Sequence, residues 1–394
     1  MTNSSLSSVR NLAVLAGGLL FLAGCGCGSS APEDPLEAAE AASTAFVAGD
    51  YAGTVAQCRH SLALAPDNPD VLVLLARAAL ASGDLAAAEE AVAQVAQLRP
   101  TDVAVLQLTA QVAFEKHDYD AASRAYTRLA ADATLPPELQ ALGWTGRGVV
   151  SLARVSTGSA PAECRDSART DFLRALRLDR KHASAYYHLG LLYLNAFNFK
   201  QAALEQFNYY VAVTRQAPDP THLAKAQALI QGLNEEIAAE QARRPGADKR
   251  MPSACAESLR KADAAKQKGQ LKVALGLYAE ALKQDPLSFE AADRLAETIY
   301  ATEGRTRAGQ ERAYKAYAAA AGLRTYVKTL LAAADLASKL GNTASAVAYY
   351  SRAVAAKPTD TTAIDGLIRA LQRSGNRRSA TIYQNYRDSL ATRK

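Results

Sequence analysis

The sequence predicts an all-α fold, a superhelical solenoid of about eight to nine helix–turn–helix units in two arrays. Three observations carry that expectation. A turn signature recurs every 34 residues, at Gly49-Asp50-Tyr51, Gly83-Asp84-Leu85 and His117-Asp118-Tyr119. Between the turns, apolar and small residues fall at i, i+3, i+4 and i+7, the stripe of an amphipathic helix. No stretch alternates apolar and polar residues as a half-buried strand would. Alanine carries much of the 49% hydrophobic content and Trp occurs once, which favours closely packed helices over sheets.

The stretch Pro69–Pro100 is the template. Leu72, Leu75, Ala76 and Ala79 lie on one helical stripe, Gly83-Asp84 supplies a tight turn, and Leu85, Ala88, Val92 and Val95 form the inner stripe of a second helix that Pro100 ends. Two short helices of this kind cannot bury both stripes alone, so each hairpin needs a neighbour on either side.

Residues 1–24 are expected to be a signal peptide. A polar start with one cation, Arg10, precedes the apolar or small run Leu12–Gly24, which is shorter than the ~20 residues of a membrane-spanning helix. Its end, Leu22-Ala23-Gly24-Cys25, resembles the lipobox of bacterial lipoproteins. That resemblance implies cleavage before Cys25 and acylation of Cys25, with the acyl chains as a stable membrane anchor. Gly26, where Asp would favour inner-membrane retention, points to the outer membrane with the helices facing the periplasm. Residues 25–34, rich in Gly, Ser and Pro, read as a flexible tether.

The first array is expected over 35–244. Its first three repeats cover about 35–68, 69–102 and 103–136, the first with a weak stripe of Ala38, Ala41, Ala42 and Ala45. The fourth opens at Pro137, holds an insertion at 156–161, and places Ala168, Phe172 and Ala175 on its second helix. The fifth, about 183–218, is rich in Phe and Tyr. Its Tyr186-x₂-Leu189-Gly190-x₂-Tyr193, followed by Ala202, resembles the tetratricopeptide repeat pattern W-x₂-L-G-x₂-Y…A, with Tyr for the first Trp. A helix over 222–244 is expected to cap the array, and 245–254 reads as a linker.

The period resumes over 255–394. A sixth repeat carries Ala262, Gly269, Ala274, Tyr278 and Ala281, and a seventh has a disturbed turn at Gly304. The eighth carries Ala334, Gly341, Ala346, Tyr350 and Ala353. The ninth turns polar in its second helix, as a C-terminal cap would. Charge divides with the arrays: residues 31–244 hold 19 Lys and Arg against 25 Asp and Glu, and residues 245–394 hold 25 against 14.

No motif points to catalysis or to a cofactor. His60, His117, His182, His188 and His222 have no metal-ligand spacing and read as surface or capping residues. The glycines are explained by repeat turns rather than by a phosphate loop. Cys58 sits at a packing position, while Cys164 and Cys255 are left open as free thiols or a pair. No enzyme activity, nucleic acid, metal or small-molecule substrate is expected.

The tetratricopeptide resemblance implies a concave face lined by first-helix positions outside the packing stripe. Carried over by register, these are Arg77, Gln107, Gln111, Gln140, Trp144, Arg147, Tyr187, Leu191 and Asn195, suited to an extended or helical peptide. The Lys and Asn pair with which some family members clamp a terminal carboxylate is absent from the first three repeats. In the second array the equivalent positions are charged: Asp263, Lys266, Asp293, Arg294, Glu297, Asp335, Arg369 and Arg373. Together these features lead to the expectation of a lipid-anchored scaffold for protein partners in a cell-envelope assembly of pilus, secretion or polysaccharide-export type. Docking of a periplasmic hydrolase, or binding of anionic glycan or lipid by the basic array, are the alternatives.

Overall fold

The computed structural model describes residues 34–156, 162–215, 220–242 and 252–391. The expected signal peptide, Cys25, the tether up to residue 33, residues 157–161 of the insertion and the linker up to residue 251 lie outside the described residues. Among those described there are nineteen α-helices and no strand, an all-α solenoid of helical hairpins.

The first three repeats are α1 (Pro35–Val47) with α2 (Tyr51–Leu64), α3 (Pro69–Ser82) with α4 (Leu85–Leu98), and α5 (Val103–Glu115) with α6 (Tyr119–Ala131). Then come α7 (Pro137–Ser156), α8 (Ala162–Leu178), α9 (Ala183–Asn195), α10 (Lys200–Thr214) and α11 (Pro220–Ala242). The later repeats are α12 (Ser253–Gln267) with α13 (Leu271–Gln284), α14 (Phe289–Glu303) with α15 (Arg307–Leu323), α16 (Val327–Lys339) with α17 (Thr343–Ala356), and α18 (Thr361–Arg373) with α19 (Arg377–Ala391). Two expected boundaries shift. Helix α11 begins at Pro220 rather than at residue 222, and α12 begins at Ser253, inside the stretch assigned to the linker.

Local chemistry sets these boundaries. Asn68 and Asp102 cap the first helices of their hairpins by accepting backbone N–H groups of the first turn, and Asp50, Asp84 and Asp118 do the same for the second helices. In the first three repeats the first helix ends in a left-handed residue followed by a bond that reaches five residues back, as in Asp84 N–H to Ala79 O at 2.8 Å. Gly83 holds that conformation at φ 85°, and in the third repeat His117 takes the same place at φ 61°. The His117 ring is held by Tyr119, with Nδ1 3.2 Å from the phenol oxygen.

Contacts group the chain into two bodies. The first comprises residues up to Cys164 together with Asp171–His188; the second comprises Arg165–Thr170 together with the chain from Leu189 onward. The division therefore falls inside α8 and α9, upstream of the expected linker.

In the first body the template stripe is the core. Leu72, Leu75, Ala76 and Ala79 are buried, as are Ala88, Val92 and Val95, joined by Cys58 and Val112 from the flanking repeats. Leu85 is only half-buried, and Ala87 and Ala91 fill the stripe beside it. Burial pushes the Cys58 thiol up to about 12, so it is an inert packing group. Cys58, Cys164 and Cys255 are all free thiols.

In the second body, Ala262, Ala274, Tyr278, Ala281, Ala334, Ala346, Tyr350 and Ala353 are buried at the expected register. Helix α19, polar in sequence, also has a buried side. Ser379 and Tyr383 are fully buried, and both bond to Asp166, at 2.7 and 2.8 Å. Arg169 donates through Nε to the Tyr383 oxygen at 2.6 Å and through Nη1 to Ser351 O at 3.3 Å, with Phe197 stacked 4.5 Å from its guanidinium. Ser379 and Tyr383 of α19 thus complete a buried network with one turn of α8, while Arg377, Arg378, Thr381, Asn385 and Asp388 are exposed.

Candidate partner-binding surfaces

In the first body, the expected groove residues divide by what they touch. Arg147 grips Asp171, donating from Nε to Oδ2 at 2.8 Å and from Nη2 to Oδ1 at 2.5 Å, while Arg174 Nη1 approaches the same Oδ1 at 3.4 Å. The Asp171 carboxylate is fully buried, so this fork and pair satisfy a charge that would otherwise be costly. Both guanidiniums lie against the Trp144 ring, at 4.3 and 4.7 Å from its centroid. Trp144 also packs on Ala141, Ala175 and Ala185. It is half-buried and held within the first body's own architecture.

Gln140 donates to Leu135 O at 2.7 Å, closing the loop before its own helix. Gln111 and Tyr187 are buried, the latter edge-on to His188 with centroids 5.4 Å apart. Arg77 and Gln107 are half-buried, with no side-chain hydrogen bond or ion pair among the described residues. Leu191 and Asn195, half-buried and exposed, belong to the second body. The histidines also divide: His188, stacked on Phe172, and His222 are buried rather than on the surface as expected.

The second body brings its expected positions together as a row. Arg294 pairs with Asp263 one repeat earlier, and Tyr278 donates to the same carboxylate at 2.6 Å. Lys266 reaches Glu297 at 2.6 Å, and Lys328 approaches that carboxylate at 3.6 Å. The two lysines hold the Glu297 carboxyl below its ordinary range, Lys266 foremost through its hydrogen bond. Thr329 donates to Asp293 at 2.6 Å, and Tyr350 to Asp335. Each contact joins neighbouring helices, so the row is assembled by repeat stacking.

At its end lies a pocket of about 660 Å³ bordered by α16, α17 and α18. Gly366 makes room for it: a Cβ there would sit 2.1 Å from the Tyr350 ring, so only glycine lets that ring lie flat on α18 and aim its hydroxyl at Asp335. Sequence reading missed Asp166, Arg169, Asp171 and Arg174. Their signal was present in Arg165–Arg174, RDSARTDFLR, a charge-dense stretch around the Ala168 and Phe172 packing positions. Among the described residues, no group of three or more His, Cys, Asp or Glu side chains could hold a metal ion, and no helix is long and apolar enough to cross a membrane.

Three stretches match the tetratricopeptide repeat family, at 45–112, 164–220 and 327–360. The chain therefore carries tetratricopeptide repeats, and it does so in both bodies. No curated protein matches it significantly. Among solved structures, it is similar to MamA 41-end from Desulfovibrio magneticus RS-1, at 16% identity and a TM-score of 0.38 over 48% of this chain and 100% of that one. It is also similar to PilF of Pseudomonas aeruginosa, at 16% identity and a TM-score of 0.37 over 67% of this chain and 97% of the other.

Proposed function

We propose that this protein is a lipid-anchored scaffold of the cell envelope, tethered through Cys25 to the outer membrane and holding protein partners of a pilus, secretion or polysaccharide-export type of assembly in the periplasm. The observation that carries the scaffold reading is the polar row of the second body. Asp263, Lys266, Asp293, Arg294 and Glu297 lie off the packing stripe, where small residues already account for stability, and contacts between neighbouring repeats hold them in a fixed pattern. A row of preset donors and acceptors suits an extended peptide, whose ordering cost falls when the receptor is already organised. The anchor and compartment are supported by the Leu22-Ala23-Gly24-Cys25 lipobox resemblance.

Two measurements test this reading. The Cys25→Ser chain is expected to lose palmitate labelling and to leave the membrane fraction; unchanged partitioning would remove the anchor. A photo-crosslinker at Lys328 is expected to capture a discrete envelope protein in cells, whereas one at Lys272 serves as the background. Equal capture from both sites would remove the row as a partner surface.

A further inference from the structure

The charges of the row balance up to its last step and then cease to. Lys266 and Lys328 meet Glu297, Arg294 meets Asp263, and Asp293 accepts from Thr329, so the row holds three carboxylates and three cations. In the pocket beyond, Lys339, Arg369 and Arg373 face only Asp335, and the Tyr350 hydroxyl already donates to that carboxylate. Lys339 Nζ rests on the Tyr300 oxygen at 2.8 Å, a neutral partner. Arg369 and Arg373 are exposed and form no ion pair among the described residues. They lie one turn apart on α18, which puts their Cβ atoms about 5–6 Å from each other. The Ser338 and Thr343 hydroxyls border the same space.

Resting on the scaffold reading, we infer that this pocket binds an internal acidic segment of a partner protein, two of whose side-chain carboxylates take Arg369 and Arg373. The choice of a protein carboxylate follows from the row itself. In the earlier repeats of the row, Lys266 and Arg294 each meet an Asp or Glu of the adjoining repeat. Arg369 and Arg373 meet no such carboxylate among the described residues, and the partner supplies it. Arg suits this task because its planar fork accepts both oxygens of a carboxylate. A pocket of about 660 Å³ lies within the ~300–1,000 Å³ of ordinary ligand clefts and admits a few side chains of such a segment.

The test uses the full chain and a dye-labelled, Glu-rich peptide capped at both ends, so that no terminal carboxylate takes part. Its Gln counterpart is the reference. The Glu peptide is expected to bind about tenfold more tightly than the Gln peptide, and Arg369→Gln/Arg373→Gln to remove about that factor, as the loss of two solvent-screened ion pairs predicts. Lys272→Gln/Arg305→Gln removes two exposed cations away from the pocket and is expected to leave binding within twofold. Equal losses in the two double variants would reduce the effect to diffuse charge and overturn the inference. Tighter binding of a heparin oligosaccharide, lost in Arg369→Gln/Arg373→Gln, would also overturn it by making the ligand a glycan. If the Lys328 crosslink to an envelope protein persists while the Glu peptide fails to bind wild type, the acidic segment falls and the scaffold reading stands.

Discussion

Tyr350 shows what a single residue must satisfy in this fold. Its ring fills the space left by Gly366, and its hydroxyl must then find a partner in a setting that excludes much of the surrounding water. Burial, and then the hydrogen bond to Asp335, push the phenol up to about 12, above the ordinary ~10. Because the folded-state value is raised, its contribution to stability is complete below pH ~10 and is lost as pH climbs through about 12. The phenolate absorbance difference between wild type and Tyr350→Phe is expected to show a step near 12. A step near 10 would mean that the phenol is solvated and the Gly366 contact does not form. His117 illustrates another residue-level compromise, since it holds a left-handed turn that glycine holds in neighbouring repeats. The 34-residue spacing revealed that turn even without the glycine.

At the scale of the helix, most of the fold was legible because its determinants are local or locked to the period. Caps lie within three residues of the groups they satisfy, and Ala88 and Ala346 recur at positions where adjoining helices come closest. Both are fully buried, so Ala88→Leu or Ala346→Leu is expected to cost about 1–3 kcal/mol by overpacking. Urea denaturation measures this, and a negligible change at both sites would mean that the register is misplaced. The surfaces were less legible, for a physical reason. Whether a polar side chain is free depends on its neighbours, and the irregular fourth repeat removed the spacing from which those neighbours could be read. Trp144 and Arg147 stand at groove positions by register, but Arg174 and Asp171, on the following helix, engage them. In the second body, by contrast, Asp263, Arg294 and Glu297, read as charged groove positions, lie in contact with side chains of the adjoining repeat.

At the scale of the molecule, the two bodies depend on different ranges of contact. The template core of the first body joins successive hairpins, whereas the second includes a turn of α8 whose partners lie at the far end of the chain. Nothing in a 34-residue period announces that pairing, since Arg169 and Tyr383 are 214 residues apart. Arg169 is fully buried, and its guanidinium is matched by Asp166, Tyr383 and Ser351. Arg169→Ala leaves Asp166 without its cation and is expected to destabilise the second body by about 3–5 kcal/mol. Hydrogen exchange should then rise in α17 and α19 while α3 and α4 stay protected. Unchanged protection in α19 would show that the network contributes nothing to holding that helix.

The same network also fixes an order of events in time. A chain emerging N-terminus first exposes Asp166 and Arg169 long before Ser379 and Tyr383 exist to receive them. At ~5–20 residues per second, that interval is roughly 10–40 s. Through it the hairpins of the first body can nucleate on their immediate neighbours, as low contact order allows. The charged turn of α8 must meanwhile remain hydrated and undocked. Helix α19, made more than 200 residues later, is therefore the one that lets this turn leave water, and a chain ending short of it would keep the turn in the state of a nascent one.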